Sequence, residues 1–171
     1  MGLIMNMGVI KLSGRKLIIL FCCLIFTALP GCRSPFSPID DLENIPEAAV
    51  IEGTKITMKA FLYRDFMPGG EPGGSSLIAG IELTAEGVSN FPDNVAADRL
   101  WVTNRTDTWE TGFESEIRPK SPGEPNKIEV VARGGPKWEI GTKADVVVRL
   151  KVDGKLSLFI KSLNNEVGAV Y

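Results

Sequence analysis

From residue 54 onward apolar and polar side chains alternate one for one, the period of a strand whose two faces meet different surroundings. Ile56, Met58, Ala60 and Leu62 share one face; Thr57, Lys59, Phe61 and Tyr63 share the other. Leu77, Ala79, Ile81, Leu83 and Ala85 repeat the pattern. Between the two runs, Met67 to Ser76 contains Gly69-Gly70 and Pro72-Gly73-Gly74, which is too flexible for regular structure and predicts an exposed loop. After a turn at Phe91-Pro92-Asp93-Asn94, the β-prone runs Leu100 to Thr103 and Thr108 to Phe113 flank Asn104-Arg105-Thr106-Asp107 and predict a hairpin. Its register places Val102 opposite Trp109 on one face and Trp101 opposite Glu110 on the other. Ile117 to Asn126, with three prolines, reads as a loop, and Ile128, Val130 and Ala132 as the next strand. Val146, Val148, Leu150 and Val152 then alternate with Asp145, Arg149 and Lys151, and Leu156, Leu158 and Ile160 alternate on the way back. Asp153-Gly154 supplies the two left-handed positions of a type I′ turn between them. Asn164-Asn165 predicts one more turn, into Val167 to Tyr171.

Seven or eight short strands and no sustained helical period predict an all-β fold, with two antiparallel sheets packed face to face as a sandwich. A small β-barrel is the alternative. The segment Gly135-Pro136-Lys137-Trp138-Glu139-Ile140-Gly141, leading into Val146 to Leu150, resembles the crossover before a late strand in immunoglobulin-like domains. That resemblance implies an aromatic plug at one end of the sandwich and assigns no functional residue.

The start of the chain follows different rules. Lys11, Arg15 and Lys16 precede the apolar run Leu17 to Leu29, and no acid occurs before Asp40. The run is 13 residues long, against about 20 for a membrane-spanning helix. Pro30 and Gly31 interrupt it just before Cys32, giving the charge order, length and small-residue exit of a secretory signal. Leu29-Pro30-Gly31-Cys32 resembles the lipobox of bacterial lipoproteins, with Pro30 departing from the commoner Ala or Ser. The resemblance implies that the Cys32 sulfur carries a diacylglycerol, that residues 1–31 are removed as a signal peptide, and that the protein is held at a membrane. Met1, Met5 and Met7 are alternative starts that leave this unchanged. Two or three acyl chains anchor firmly, since each buried CH₂ contributes about 0.8 kcal/mol. Arg33, rather than an aspartate, follows the cysteine, which by the same resemblance implies the outer membrane, on its periplasmic or surface face, in a double-membraned bacterium. In a single-membraned one the address is the outer face of the plasma membrane. Residues 32–48, rich in Pro, Ser and acids, read as a linker holding a domain at 49–171 off the membrane. Asp40, Asp41 and Glu43 could be imagined as calcium ligands, but solvated linker charge is the simpler reading.

Losing residues 1–31 changes the chemistry available. Cys22 and Cys23 leave with the signal and Cys32 is consumed, so no mature thiol or disulfide remains. Lys11, Arg15 and Lys16 leave too, and the resulting acidic surface argues against nucleic acid as a partner. The chain has no histidine. Ser-His-Asp and Cys-His nucleophile systems and the usual zinc sets are thereby excluded. Glu110, Glu114 and Glu116 are the carboxylates from which a glycosidase pair would have to come, though acids on the wet face of a sheet are the default explanation. The glycine-rich loop lacks a following Lys-Ser/Thr, so it is no phosphate cradle. No cofactor and no metal site is expected. Trp101 and Tyr63, opposite the aliphatic faces of their strands, are the residues from which a sugar- or small-ligand-binding surface would be built. Unless those faces are covered, they expose an aromatic patch, which usually marks a partner. The sequence thus predicts a non-enzymatic, lipid-anchored envelope structural or protein-interaction module, with a carbohydrate- or small-ligand-binding lipoprotein as the alternative.

Overall fold

The computed structural model describes residues 37–171. Within them the chain is almost entirely β-structure: nine strands, β1 (Ala48–Ile51), β2 (Thr54–Asp65), β3 (Leu77–Glu86), β4 (Val95–Thr103), β5 (Thr108–Thr111), β6 (Ser115–Ile117), β7 (Lys127–Gly135), β8 (Lys143–Val152) and β9 (Leu156–Val170). A 3₁₀ segment, Pro38–Asn44, precedes them. The strands form one mixed sheet in the order β5-β4-β8-β9-β2-β3-β7-β6, with β1 paired to β2. Every pair is antiparallel except β2 with β9, which run parallel from Leu62↔Val167 to Asp65↔Val170. β1 takes the same edge of β2 earlier, from Ala48↔Thr57 to Ile51↔Thr54.

The sheet curls because its apolar faces must meet. Ile81, Leu83 and Val130 from one arm and Leu100, Val102, Val146 and Val148 from the other lie in a single buried cluster, so the two arms fold toward one another like half a barrel. The alternation in the sequence is what puts these side chains inward on every strand. Both ends of the path are short strands, β5 with four residues and β6 with three, which leaves little open edge for wrong pairing.

The predicted hairpin registers are present. Val102 pairs with Trp109 and Trp101 with Glu110. Asp153 and Gly154 have φ of 51° and 67°, and Lys151↔Ser157 and Val152↔Leu156 close the turn. Glu52 and Gly53, at φ 50° and 83°, make the equivalent turn between β1 and β2.

Three expectations differ. Nine strands form rather than seven or eight, since the short β1 and β6 add to those expected. Asn164-Asn165 is not a turn: β9 runs unbroken through it as a bulge, where the register moves from Ala144↔Asn165 to Val146↔Ser162. Asn164 takes up the extra residue at φ 56°, while the Asn165 side-chain amide donates to the carbonyls of Ala144 and Ser162. Residues 37–48, read as the distal part of a linker, instead belong to the compact unit, which spans Ser37–Tyr171. The reason is apolar: Ile39, Leu42 and Ile45 recur every third residue, the period of a 3₁₀ helix, and pack onto the outer face of β4, β8 and β9 against Trp101, Val147 and Phe159.

Candidate functional site

Trp101 shows how the outer face of β4 is finished. It alternates with Leu100 and Val102, which point into the core, and therefore projects outward beside Val147 on β8. The 37–46 segment lies across it as a strap, leaving the indole only 4% exposed. Its Nε1–H is buried with no hydrogen-bond acceptor. Lys161 on β9 fastens the strap: its Nζ donates to the carbonyls of Leu42 at 2.9 Å and Glu43 at 3.1 Å, and its backbone N–H donates to Pro46 O at 2.9 Å. Trp101 is thus a covered side chain, not part of an open aromatic platform. Tyr63 lies half-buried on β2 opposite Ile78. β8 and β9 separate its strand from that of Trp101, so the fold does not bring the two together. Cys32 lies outside the described residues.

A cleft of about 600 Å³ opens where the strap meets the β4-β5 loop, lined among others by Ile39, Leu42, Thr103, Arg105, Asp145 and Lys161. Asn104 shapes that loop: its Oδ1 accepts the backbone N–H of Thr106 and of Asp107 and the Thr106 hydroxyl. The polar groups of the cleft are largely committed. Lys161 is spent on the strap, and Asp145 accepts the Asn164 N–H at 2.8 Å.

The same end of the molecule carries the cap that finishes the core. Trp138 packs partly buried against the core cluster, and its Nε1–H donates to Asp107 at 3.4 Å. Arg64, 7% exposed, points out of the end of β2 and ties the neighbouring loops together. Its Nε donates to Ser75 O at 2.8 Å and its two terminal nitrogens to Gly73 O at 2.6 Å and Trp138 O at 3.1 Å. Its guanidinium also stacks 5.0 Å from the Phe66 ring centroid. The glycine-rich loop is therefore pinned through its own carbonyls.

The carboxylates weighed for catalysis are dispersed in ion pairs. Glu110 faces Arg99 at 3.7 Å, Glu114 faces Arg133 at 3.9 Å, and Glu116 faces Arg118 at 2.7 Å. Arg118 is itself directed at the carbonyls of Pro92 and Val95. Ion pairs also shift titratable groups that hold the fold. Hydrogen bonding to Arg149 holds the Asp98 carboxyl below its ordinary range. Among the described residues no cluster of three or more His, Cys, Asp or Glu side chains could hold a metal ion, and no helix is long and apolar enough to cross a membrane.

Sequence reasoning missed Arg64, Lys161 and the strap. An arginine or lysine on a strand gives no local sign that its partners are carbonyls far along the chain, whereas the three-residue apolar period of the strap was there to be read. A scan against protein-family models finds no match to this chain, and a search of curated proteins finds none either.

Proposed function

We propose that this protein is a lipid-anchored, extracytoplasmic β-sandwich of immunoglobulin-like topology that works through surface contacts, as a structural or protein-interaction module of a bacterial envelope. The anchor reading rests on the order of basic start, 13-residue apolar run and Leu29-Pro30-Gly31-Cys32. The topological reading is supported by the strand path, in which β2 pairs with β3 on one edge and with the last strand, in parallel, on the other. The placement is the outer membrane, or the outer face of the plasma membrane where that is the only one.

One observation supports the non-catalytic reading: the carboxylates weighed for catalysis face arginines rather than one another. Glu110, Glu114 and Glu116 each face an arginine, and Lys161 and Arg64 donate to carbonyls. Glycan binding through Trp101 loses support, because the indole lies beneath the strap.

The test is made in intact cells. Metabolic labelling with a fatty-acid analogue should mark the wild type and not Cys32→Ser, and crosslinking should recover a specific envelope protein. Labelling of Cys32→Ser equal to wild type would refute the anchor, and recovery of bulk lipid alone would refute the interaction role.

A further inference from the structure

The cleft between the strap and the β4-β5 loop is lined by two opposite charges that do not pair with each other. Asp145, on the outer face of β8 opposite Thr103, is only 8% exposed. One of its carboxylate oxygens accepts the Asn164 N–H at 2.8 Å. Among the described residues the other oxygen meets no donor and no cation, an uncommon state for a carboxylate so far out of water. Arg105 lines the same cleft from the β4-β5 loop, and among the described residues its guanidinium has neither a hydrogen bond nor an ion pair. Its backbone is held at φ 75°, a conformation that glycine takes more easily than any residue with a Cβ.

The remaining polar groups of the cleft are occupied. Thr103 donates its hydroxyl to Asp107 O at 3.1 Å, Thr108 donates to the Thr103 hydroxyl at 3.0 Å, and Thr106 donates to Asn104 at 2.9 Å. The Asp107 carboxylate takes the Trp138 indole N–H, and the Lys161 ammonium is turned to the strap carbonyls. What is left for a ligand is an acceptor at Asp145, a planar fork of donors at Arg105 and the aliphatic side chains of Ile39, Leu42 and Leu163. The volume, about 600 Å³, lies within the range of roughly 300 to 1,000 Å³ common for small-molecule sites.

We propose that this cleft binds a small zwitterion with an aliphatic side chain, an amino acid or a short peptide, its ammonium on Asp145 and its carboxylate on Arg105. The side chain lies against Ile39, Leu42 and Leu163. Charge complementarity selects this class. A simple cation would leave Arg105 unanswered and meet its repulsion, a simple anion would do the same at Asp145 and Glu43, and a neutral apolar ligand would cover both charges unpaired. A guanidinium takes a carboxylate through two parallel hydrogen bonds. The left-handed backbone of Arg105 fits a residue kept for its side chain at some cost to the loop. The site needs neither acylation of Cys32 nor a protein partner, so it stands apart from the envelope role proposed above.

Calorimetric titration of the full-length protein in detergent tests this, with leucine and leucyl-leucine as probes. Saturable binding at one site is expected for at least one of them, and the tighter of the two assigns the cleft to the free amino acid or to the short peptide. Blocking the ammonium by acetylation, or the carboxylate by amidation, should each weaken that probe about tenfold or more, and glycylglycine should bind more weakly than leucyl-leucine. Asp145→Asn keeps an oxygen for the Asn164 N–H and removes the charge; it should weaken binding by a similar factor with the melting midpoint near that of the wild type. Arg105→Gly separates site from fold more sharply: it relieves the left-handed backbone, so the midpoint should stay level or rise while binding is lost. No heat of binding from either probe at millimolar concentration would overturn the proposal. So would blocked analogues that bind as tightly as the free zwitterion, or binding undiminished in a folded Arg105→Gly.

Discussion

Glu82 sits on the outer face of β3 and is only 5% exposed, a position that burial alone would make hostile to a carboxylate. Burial does push its pKa upward, but hydrogen bonds from Lys120 and Lys127 outweigh it and hold the carboxyl below its ordinary value. Lys127 stands 3.3 Å away and also reaches Glu124 at 2.6 Å. Across the molecule, Arg149 does the same for Asp98 through two hydrogen bonds, at 2.7 and 2.6 Å. Both carboxyls titrate lower folded than unfolded, so their contribution is present above about pH 4 and is lost as pH falls through the folded values. Lys120 and Lys127 are raised by their hydrogen bonds to Glu82 and Glu124. Their contribution is full below about pH 10 and is lost as pH climbs through the folded values. Stability should therefore be flat around neutrality and fall at both extremes. In Glu82→Gln the acid limb should flatten, as read from urea midpoints between pH 7 and pH 3. An acid limb as steep as the wild type's would show that Glu82 does not contribute to it.

The strap converts an outward-facing tryptophan into a second small core, and its worth is testable separately from the main one. Ile45 is 8% exposed and packs with Trp101 and Val147. Ile45→Ala should destabilise the domain by about 2–4 kcal/mol and shift tryptophan emission to the red. A midpoint and an emission maximum like the wild type's would mean that the strap does not cover Trp101 in solution. The sequence hid this element behind its composition: Pro38, Asp40, Asp41, Glu43 and Pro46 suggest an extended linker, and only the spacing of Ile39, Leu42 and Ile45 says otherwise. Elsewhere legibility followed locality. The alternation in β2, β3 and β8, the Asp153-Gly154 turn and the pairing of Val102 with Trp109 are set by neighbours in sequence, and all could be read directly. The parallel pairing of Leu62 with Val167 joins residues more than a hundred positions apart. No local pattern encodes it, and it is what turns a row of hairpins into a sheet curled around one core. Asn164-Asn165 misled for a related reason: asparagine suits a left-handed residue in a bulge as well as in a turn, and only the continued pairing of β8 with β9 selects the bulge.

At the scale of the whole molecule, one arginine holds the end where the strap enters. Arg64 lies on the core-facing alternation of β2, after Leu62, at a place where an aliphatic residue would be expected. It is tolerated there because its guanidinium donates to three carbonyls, those of Gly73, Ser75 and Trp138. Backing this, the Ser75 hydroxyl accepts the Asp65 N–H at 2.8 Å, and Gly74 lies so close under Phe66 that a Cβ there would stand 2.4 Å from the ring. The loop is therefore built around Arg64 and Phe66 rather than merely adjacent to them. Arg64→Met keeps most of the stem's volume and removes all three donors. It should cost on the order of 3 kcal/mol and, more specifically, open the 67–76 loop to limited proteolysis under conditions where the wild type is resistant. Arg64→Lys should restore only part of that resistance, because an ammonium on a single stem cannot span carbonyls that a planar fork reaches together. If Arg64→Met lost global stability but its loop stayed uncut, the arginine would be a packing residue and the cap would owe its order to Trp138 and Phe66 instead.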